Sequence, residues 1–169
     1  MNKALTFPIS RSAIALGKMS AISLIAALQA SLIIGIALAI GVTFPNPLMI
    51  IPIMGIVILF SLGFSGISVT LAATAKSQET FWGMINLLGM PLFMLSPALF
   101  PLELLPNWLA VIAKLNPVTY TVLLVRELMT GVSEGGIPIL ISIGVIFAFV
   151  IAMVAITSYV FTREVNKPF

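Results

Sequence analysis

A serine flanked by glycines, Gly63-Phe64-Ser65-Gly66, lies inside a long apolar stretch and is the first place where this sequence could do chemistry. A serine there could act as a nucleophile within a membrane, provided that a neighbouring base takes its proton. The chain contains no histidine and no cysteine. The commonest general base, the commonest transition-metal ligand, and every thiolate or disulfide are therefore absent together. Lys76 is the nearest cation in sequence, and it sits at the end of the apolar stretch. A Gly/Ser-rich face for helix packing needs no base, and the residues favour that reading. Gly17-Lys18 is equally poor as a phosphate-binding loop. Met19 follows where serine or threonine is needed, and Ser12 occupies the place of the first glycine. If ATP drives this protein, another chain or domain binds it.

Two amides remain, Gln29 and Asn86, each inside an apolar run. Buried amides in lipid face other helices or a wet cavity, so they could line a substrate path or bridge helices. No Asp, Glu, Lys or Arg stands at the centre of any apolar run. Proton- and ion-coupled transporters usually carry such a residue, so any driving force is expected to come from outside these helices.

The elements that position these residues follow from composition. Of 169 residues, 60% are hydrophobic and 8% are charged, with a mean hydropathy of +1.22. A soluble domain carries about 25% charge, so lipid is the solvent that suits this surface. From Met19 through Ala75 there is no charged residue. One span needs roughly 20 apolar residues, so that stretch holds two. The net charge of +3 is small and dispersed, which points away from nucleic acid. The first apolar stretch is too long for a signal-peptide core, and no cleaved signal is expected.

The fold class is all-α, a polytopic transmembrane helix bundle. Residues 1–18 form a cytoplasmic interfacial segment with Lys3, Arg11 and Lys18, broken at Pro8 and with Ser10 as a helix cap. Residues 19–169 form the membrane domain. Its spans are expected at about 19–42, 48–75, 81–100 and 137–161, with kinks at Pro91 and Pro97 in the third. The first ends at Phe44-Pro45-Asn46-Pro47, where two prolines force a turn. Residues 101–136 are too polar and interrupted for two crossings. They divide at Asn116-Pro117 into two short helices, the first opening at Pro106 and the second stopping near Gly131. Such a pair suits a re-entrant hairpin. Trp108 and Tyr120 fit an aromatic belt, while the adjacent Arg126 and Glu127 point apart and need separate partners. Lys and Arg number six on the two termini and the Lys76 loop, against two on the hairpin, Lys114 and Arg126. That bias predicts cytoplasmic termini and an extracellular hairpin.

Small residues recur at every fourth position in the first span, at Ser23, Ala27, Ser31, Gly35 and Ala39. A shorter series, Gly144, Ala148 and Ala152, runs along the last. Such stripes let helix backbones approach closely. Ordinary packing is the preferred reading over a helix that slides in a transport cycle.

The run Ser96-Pro97-Ala98-Leu99-Phe100-Pro101-Leu102-Glu103-Leu104-Leu105-Pro106-Asn107-Trp108-Leu109 resembles the signature of ABC-2 type transporter permeases. So does Leu115-Asn116-Pro117-Val118-Thr119-Tyr120, followed by Arg126 and Gly131. The opening Phe7-Pro8-Ile9-Ser10-Arg11-Ser12 with Gly17-Lys18 is similar to that family's cytoplasmic stretch before its third span. Ser65-Gly66 and Ala72-Ala73 through Lys76 resemble the end of its fourth. Pro97 stands where the family usually has glycine.

The resemblance implies the last four of six spans. It also implies a permease subunit of an ATP-driven exporter in the plasma (cytoplasmic) membrane, moving drug-like, lipid-linked or other amphipathic molecules. Its implied partners are a separate ABC ATPase subunit, which would hold ATP and Mg, and a second permease subunit, in a homo- or heterodimer. The chain itself would hold no cofactor and catalyse nothing. The implied ATPase-coupling residues are Phe7, Pro8, Ile9, Ser10, Arg11, Lys18 and Lys76. The implied hairpin residues are Pro101, Pro106, Trp108, Asn116, Pro117, Tyr120 and Arg126. The alternative expectation is a non-transporting membrane scaffold, or a truncated or split-gene partner of a full-length permease.

Overall fold

The computed structural model describes residues 11–43, 46–99, 101–133 and 135–164, with the main chain alone for Arg11, Glu103 and Glu164. Phe7, Pro8, Ile9 and Ser10 lie outside the described residues. The elements run α1 (Arg11–Ala39), a 3-10 turn (Pro47–Met49), α2 (Ile50–Thr74), α3 (Gln78–Met94), a second 3-10 turn (Leu102–Leu104), α4 (Asn107–Leu115), α5 (Pro117–Thr130) and α6 (Ile139–Glu164). Among the described residues, three helices are long and apolar enough to cross a membrane: Ser12–Ala39, Pro47–Thr74 and Ile139–Arg163. The pair α4–α5, bent by 89° at Asn116, adds a fourth crossing if taken as one broken element.

Local sequence explains the boundaries. Between Arg11 and Ala39 there is no proline, so α1 runs unbroken through residues 11–18 into the apolar stretch. Asn46 caps the turn before α2, its side chain accepting from the Leu48 amide at 3.0 Å, with Pro47 at the first position. Ser77 caps α3 by accepting from the Thr80 amide at 3.1 Å.

The third span departs from expectation. A helix to Phe100 was anticipated, but α3 has 17 residues and stops at Met94. Pro97 disfavours the helical region for Ser96 and lacks an amide of its own. The Ser96 hydroxyl then turns back on the Phe93 carbonyl at 2.7 Å. At 1.5 Å per residue α3 is about 25 Å long, at the short limit for a crossing.

The core lies where α1, α2 and α6 meet, with α5 closing one end. Ala15, Met19 and Val69 form one buried cluster, and Leu124, Ile146 and Val150 form another. Polar contacts join the same helices. Ser23 Oγ lies 2.8 Å from both the Ile58 carbonyl and Ser61 Oγ. Thr157, fully buried, donates to the Gly66 carbonyl at 3.0 Å. Its hydroxyl also lies 3.0 Å from that of Thr70, which must therefore be the donor of the pair. In lipid these bonds have no water to compete with them, though each is worth only about 1 kcal/mol. Thr157→Val, which keeps the shape and removes the hydroxyl, is expected to destabilise the bundle by about 1–2 kcal/mol. Thermal unfolding in detergent measures it, and an unchanged midpoint would remove the Thr157–Gly66 bond from the account.

Close approach of α2 and α6 comes from α2. A Cβ at Gly63 would lie 3.0 Å from the Phe149 ring and from Val150. The small-residue stripes behave differently from expectation. Of the α1 stripe only Ser23 and Ala27 are buried, while Ser31, Gly35 and Ala39 are exposed. In α6 the stripe Gly144, Ala148 and Ala152 is exposed, and Ser142, Ile146, Val150 and Thr157 are buried instead. With the glycines on α2, α6 can present larger residues at the contact.

Candidate functional site

The bent helix pair gathers most of the hairpin residues picked out from sequence. Asn116 is 5% exposed and serves two helices at once. Its side-chain oxygen accepts from the Val118 amide at 3.0 Å, capping α5. Its side-chain nitrogen donates to the Leu92 carbonyl at 2.6 Å, near the end of α3. The last four carbonyls of a helix lack intrahelical partners, and Leu92 is among them in α3. Pro117 opens α5 where its missing amide has no bond to lose, and Gly131 ends it at φ +73°. Only glycine takes that left-handed conformation without a steric penalty.

The remaining contacts hold the bend. Thr119 Oγ1 donates to the Ala113 carbonyl at 2.7 Å, and the Tyr120 hydroxyl donates to the Lys114 carbonyl at 2.6 Å. The Tyr120 ring packs on the Leu124–Ile146–Val150 cluster, so this residue secures α5 as well as sitting at the surface. Arg126 donates to the Pro97 carbonyl at 3.0 Å, tying α5 to the turn after α3. Pro106 is the cap of α4 and not its first residue, and Pro101 caps the preceding 3-10 turn. Trp108 is 66% exposed on α4. Val122, Val125, Arg126 and Met129 line an open hollow of about 460 Å³ with Ala98.

At the opposite ends of the long helices stand Lys18, Lys76 and Arg163. Lys18 Nζ lies 5.5 Å above the centre of the Phe161 ring, so its ammonium is drawn toward α6. Arg163 reaches the Tyr159 hydroxyl at 3.4 Å, and Lys76 is exposed. Gln29 and Asn86 do not meet. Gln29 is exposed on α1, and Asn86 is exposed on α3, donating to the Trp82 carbonyl of its own helix at 2.9 Å. Ser65 is buried, with its hydroxyl 2.8 Å from the Leu62 carbonyl and 3.3 Å from that of Met19. Its proton is engaged by main chain at a helix contact.

The Thr70–Thr157–Gly66 junction and the Leu92 tie were not singled out from sequence. A lone threonine in an apolar helix carries no signal of which neighbour it will face. Asn116 was recognised as a cap, but its second bond depends on where α3 stops.

Comparison with known proteins completes the site. The family model described as ABC-2 type transporter matches residues 1–130. The "Putative transport permease ycf38" of Cyanophora paradoxa is 30% identical over 129 residues, 76% of this chain and 44% of that protein. The protein of the same name from Pyropia yezoensis is 30% identical over 136 residues, 79% of this chain and 46% of that protein. The chain thus spans less than half the length of these curated relatives. No solved structure matches.

Proposed function

This chain belongs to the ABC-2 type transporter family, and from that premise we propose that it is the permease part of an ATP-driven exporter of amphipathic molecules. The observation that carries this reading is the helix pair bent at Asn116 and fastened to the end of α3, in the segment whose residues resemble the family's hairpin. A permease without its own nucleotide site needs an ATPase partner, and the described residues hold no charged group at mid-span that could carry an ion instead. The largely apolar hollow along α5 suits amphipathic cargo better than ions. The termini and the Lys76 loop, richest in Lys and Arg, would face the cytoplasm, and residues 7–11 with Lys76 would meet the ATPase. A second permease unit would complete the pathway.

Affinity purification of the chain from its native membrane in mild detergent, with mass spectrometry of what accompanies it, tests this. A soluble subunit with a phosphate-binding loop is expected, and scrambling residues 7–11 should abolish its recovery while leaving membrane insertion intact. Undiminished recovery would move the docking surface elsewhere. Recovery of a longer permease with no ATPase would favour the scaffold reading and overturn this one.

A further inference from the structure

The hollow beneath Lys18 is not used by the reading above. It measures about 390 Å³ and opens between α1, α2, α6 and the start of α3. Its walls are small or apolar: Val69, Ala72 and Ala73 of α2, Phe81 of α3 and Phe161 of α6. The volume lies in the range of about 300–1,000 Å³ typical of small-molecule sites. Lys18 is its charged lining residue, and the described lining contains no carboxylate. The Phe161 ring attracts the ammonium to the mouth of the hollow without using up its hydrogen-bond donors.

We propose that this hollow binds an anionic phospholipid, with the headgroup phosphate on Lys18 and an acyl chain against Val69, Ala72 and Phe81. Charge decides the occupant. An apolar protein helix seated here would cover the Lys18 ammonium without an anion, and burying an unpaired charge is strongly unfavourable. A phosphate neutralises it, while the acyl chain fills a slot that short alanine side chains leave open. The flanking cations Lys76 and Arg163 belong to the same end of the bundle, and basic pockets between membrane helices hold anionic headgroups for the same reason.

Native mass spectrometry of the full chain, released from micelles containing equal phosphatidylglycerol and phosphatidylcholine, reads this directly. Its readout is bound lipid, so it is indifferent to whether an ATPase docks. Retained phosphatidylglycerol should exceed phosphatidylcholine by about fivefold, the factor expected for one well-placed cation. Lys18→Gln should bring the two to parity and Lys18→Arg should keep the preference. Ala72→Phe, which fills the slot, should lower both. Lys76→Gln should leave the preference in place. Equal retention of the two lipids by the unaltered chain would overturn the proposal. So would an equal loss with Lys76→Gln, which would mean diffuse surface charge. Displacement of the lipid by millimolar inorganic phosphate would also overturn it, since the site would then be one for a free anion.

Discussion

Gly66→Leu is expected to destabilise the bundle by about 3 kcal/mol, the upper part of the range for overpacking a filled contact. A Cβ at this position would meet Thr157 Oγ1 at 2.9 Å, Met19 Cε at 3.1 Å and Met153 Cβ at 3.2 Å. Thr157 Oγ1 and Met153 Cβ belong to α6, so relief requires α2 to move away from that helix. The Met19 methyl could yield by changing rotamer. Thr157 Oγ1 cannot move without losing its bonds to Gly66 and Thr70. Gly35→Leu is the matched control. It lies in α1 with nothing within 4 Å of an added Cβ, and its effect should stay within about 0.5 kcal/mol. Thermal unfolding in detergent, together with the yield of monodisperse protein, compares the two. Equal stability of the two variants would mean that the three-helix contact at Gly66 is not what holds the bundle.

Asn116→Ala is expected to cost about 2–4 kcal/mol, the sum of a lost cap at about 1 kcal/mol and an unsatisfied Leu92 carbonyl at about 1–3 kcal/mol. Asn116→Asp separates the two contributions. A carboxylate can still accept from the Val118 amide, but it has no N–H for the Leu92 carbonyl 2.6 Å away. The aspartate variant should therefore keep the cap and lose only the Leu92 part, about 1–3 kcal/mol. It should also open residues 95–106 to limited proteolysis, because the bend would no longer be fastened to α3. An aspartate variant as stable and as resistant as the parent chain would reduce Asn116 to a simple cap.

Much of the architecture was legible because lipid imposes severe conditions. Long uncharged runs predict α1, α2 and α6, Phe44-Pro45-Asn46-Pro47 marks the turn between the first two, and Asn116-Pro117 marks a helix start through local chemistry that needs no knowledge of the fold. The end of α3 was not legible. Pro97 could kink a helix or end one, and the outcome depends on Ser96 turning back to Phe93, on Asn116 taking the Leu92 carbonyl and on Arg126 taking the Pro97 carbonyl. Helix rotation was harder still. Spacing in α6 singled out Gly144, Ala148 and Ala152, yet the buried face is the one holding Ile146, Val150 and Thr157. In a helix apolar all round, hydrophobic periodicity cannot choose a face. The choice was made by glycines in α2. At the candidate site, Asn116 was marked by its place before Pro117, and Tyr120 and Arg126 were singled out with it through the resemblance to the family's hairpin. The hollow beneath Lys18 was missed because its walls are small and apolar residues from four helices, which look unremarkable in any apolar sequence.

The Thr157–Gly66 bond joins residues 91 apart in sequence. At synthesis rates of about 5–20 residues per second, α1 and α2 wait about 5–18 seconds in the membrane before their third partner is made. During that interval Ser65 and Thr70 have only main chain of their own or the neighbouring helix to turn to, and the glycine notch of α2 is open to lipid. Assembly of this contact is therefore completed only once α6 is translated. A ribosome that stalls within α6 would leave a pair of inserted helices with an unfilled notch, a form that membrane quality control can distinguish from the finished bundle.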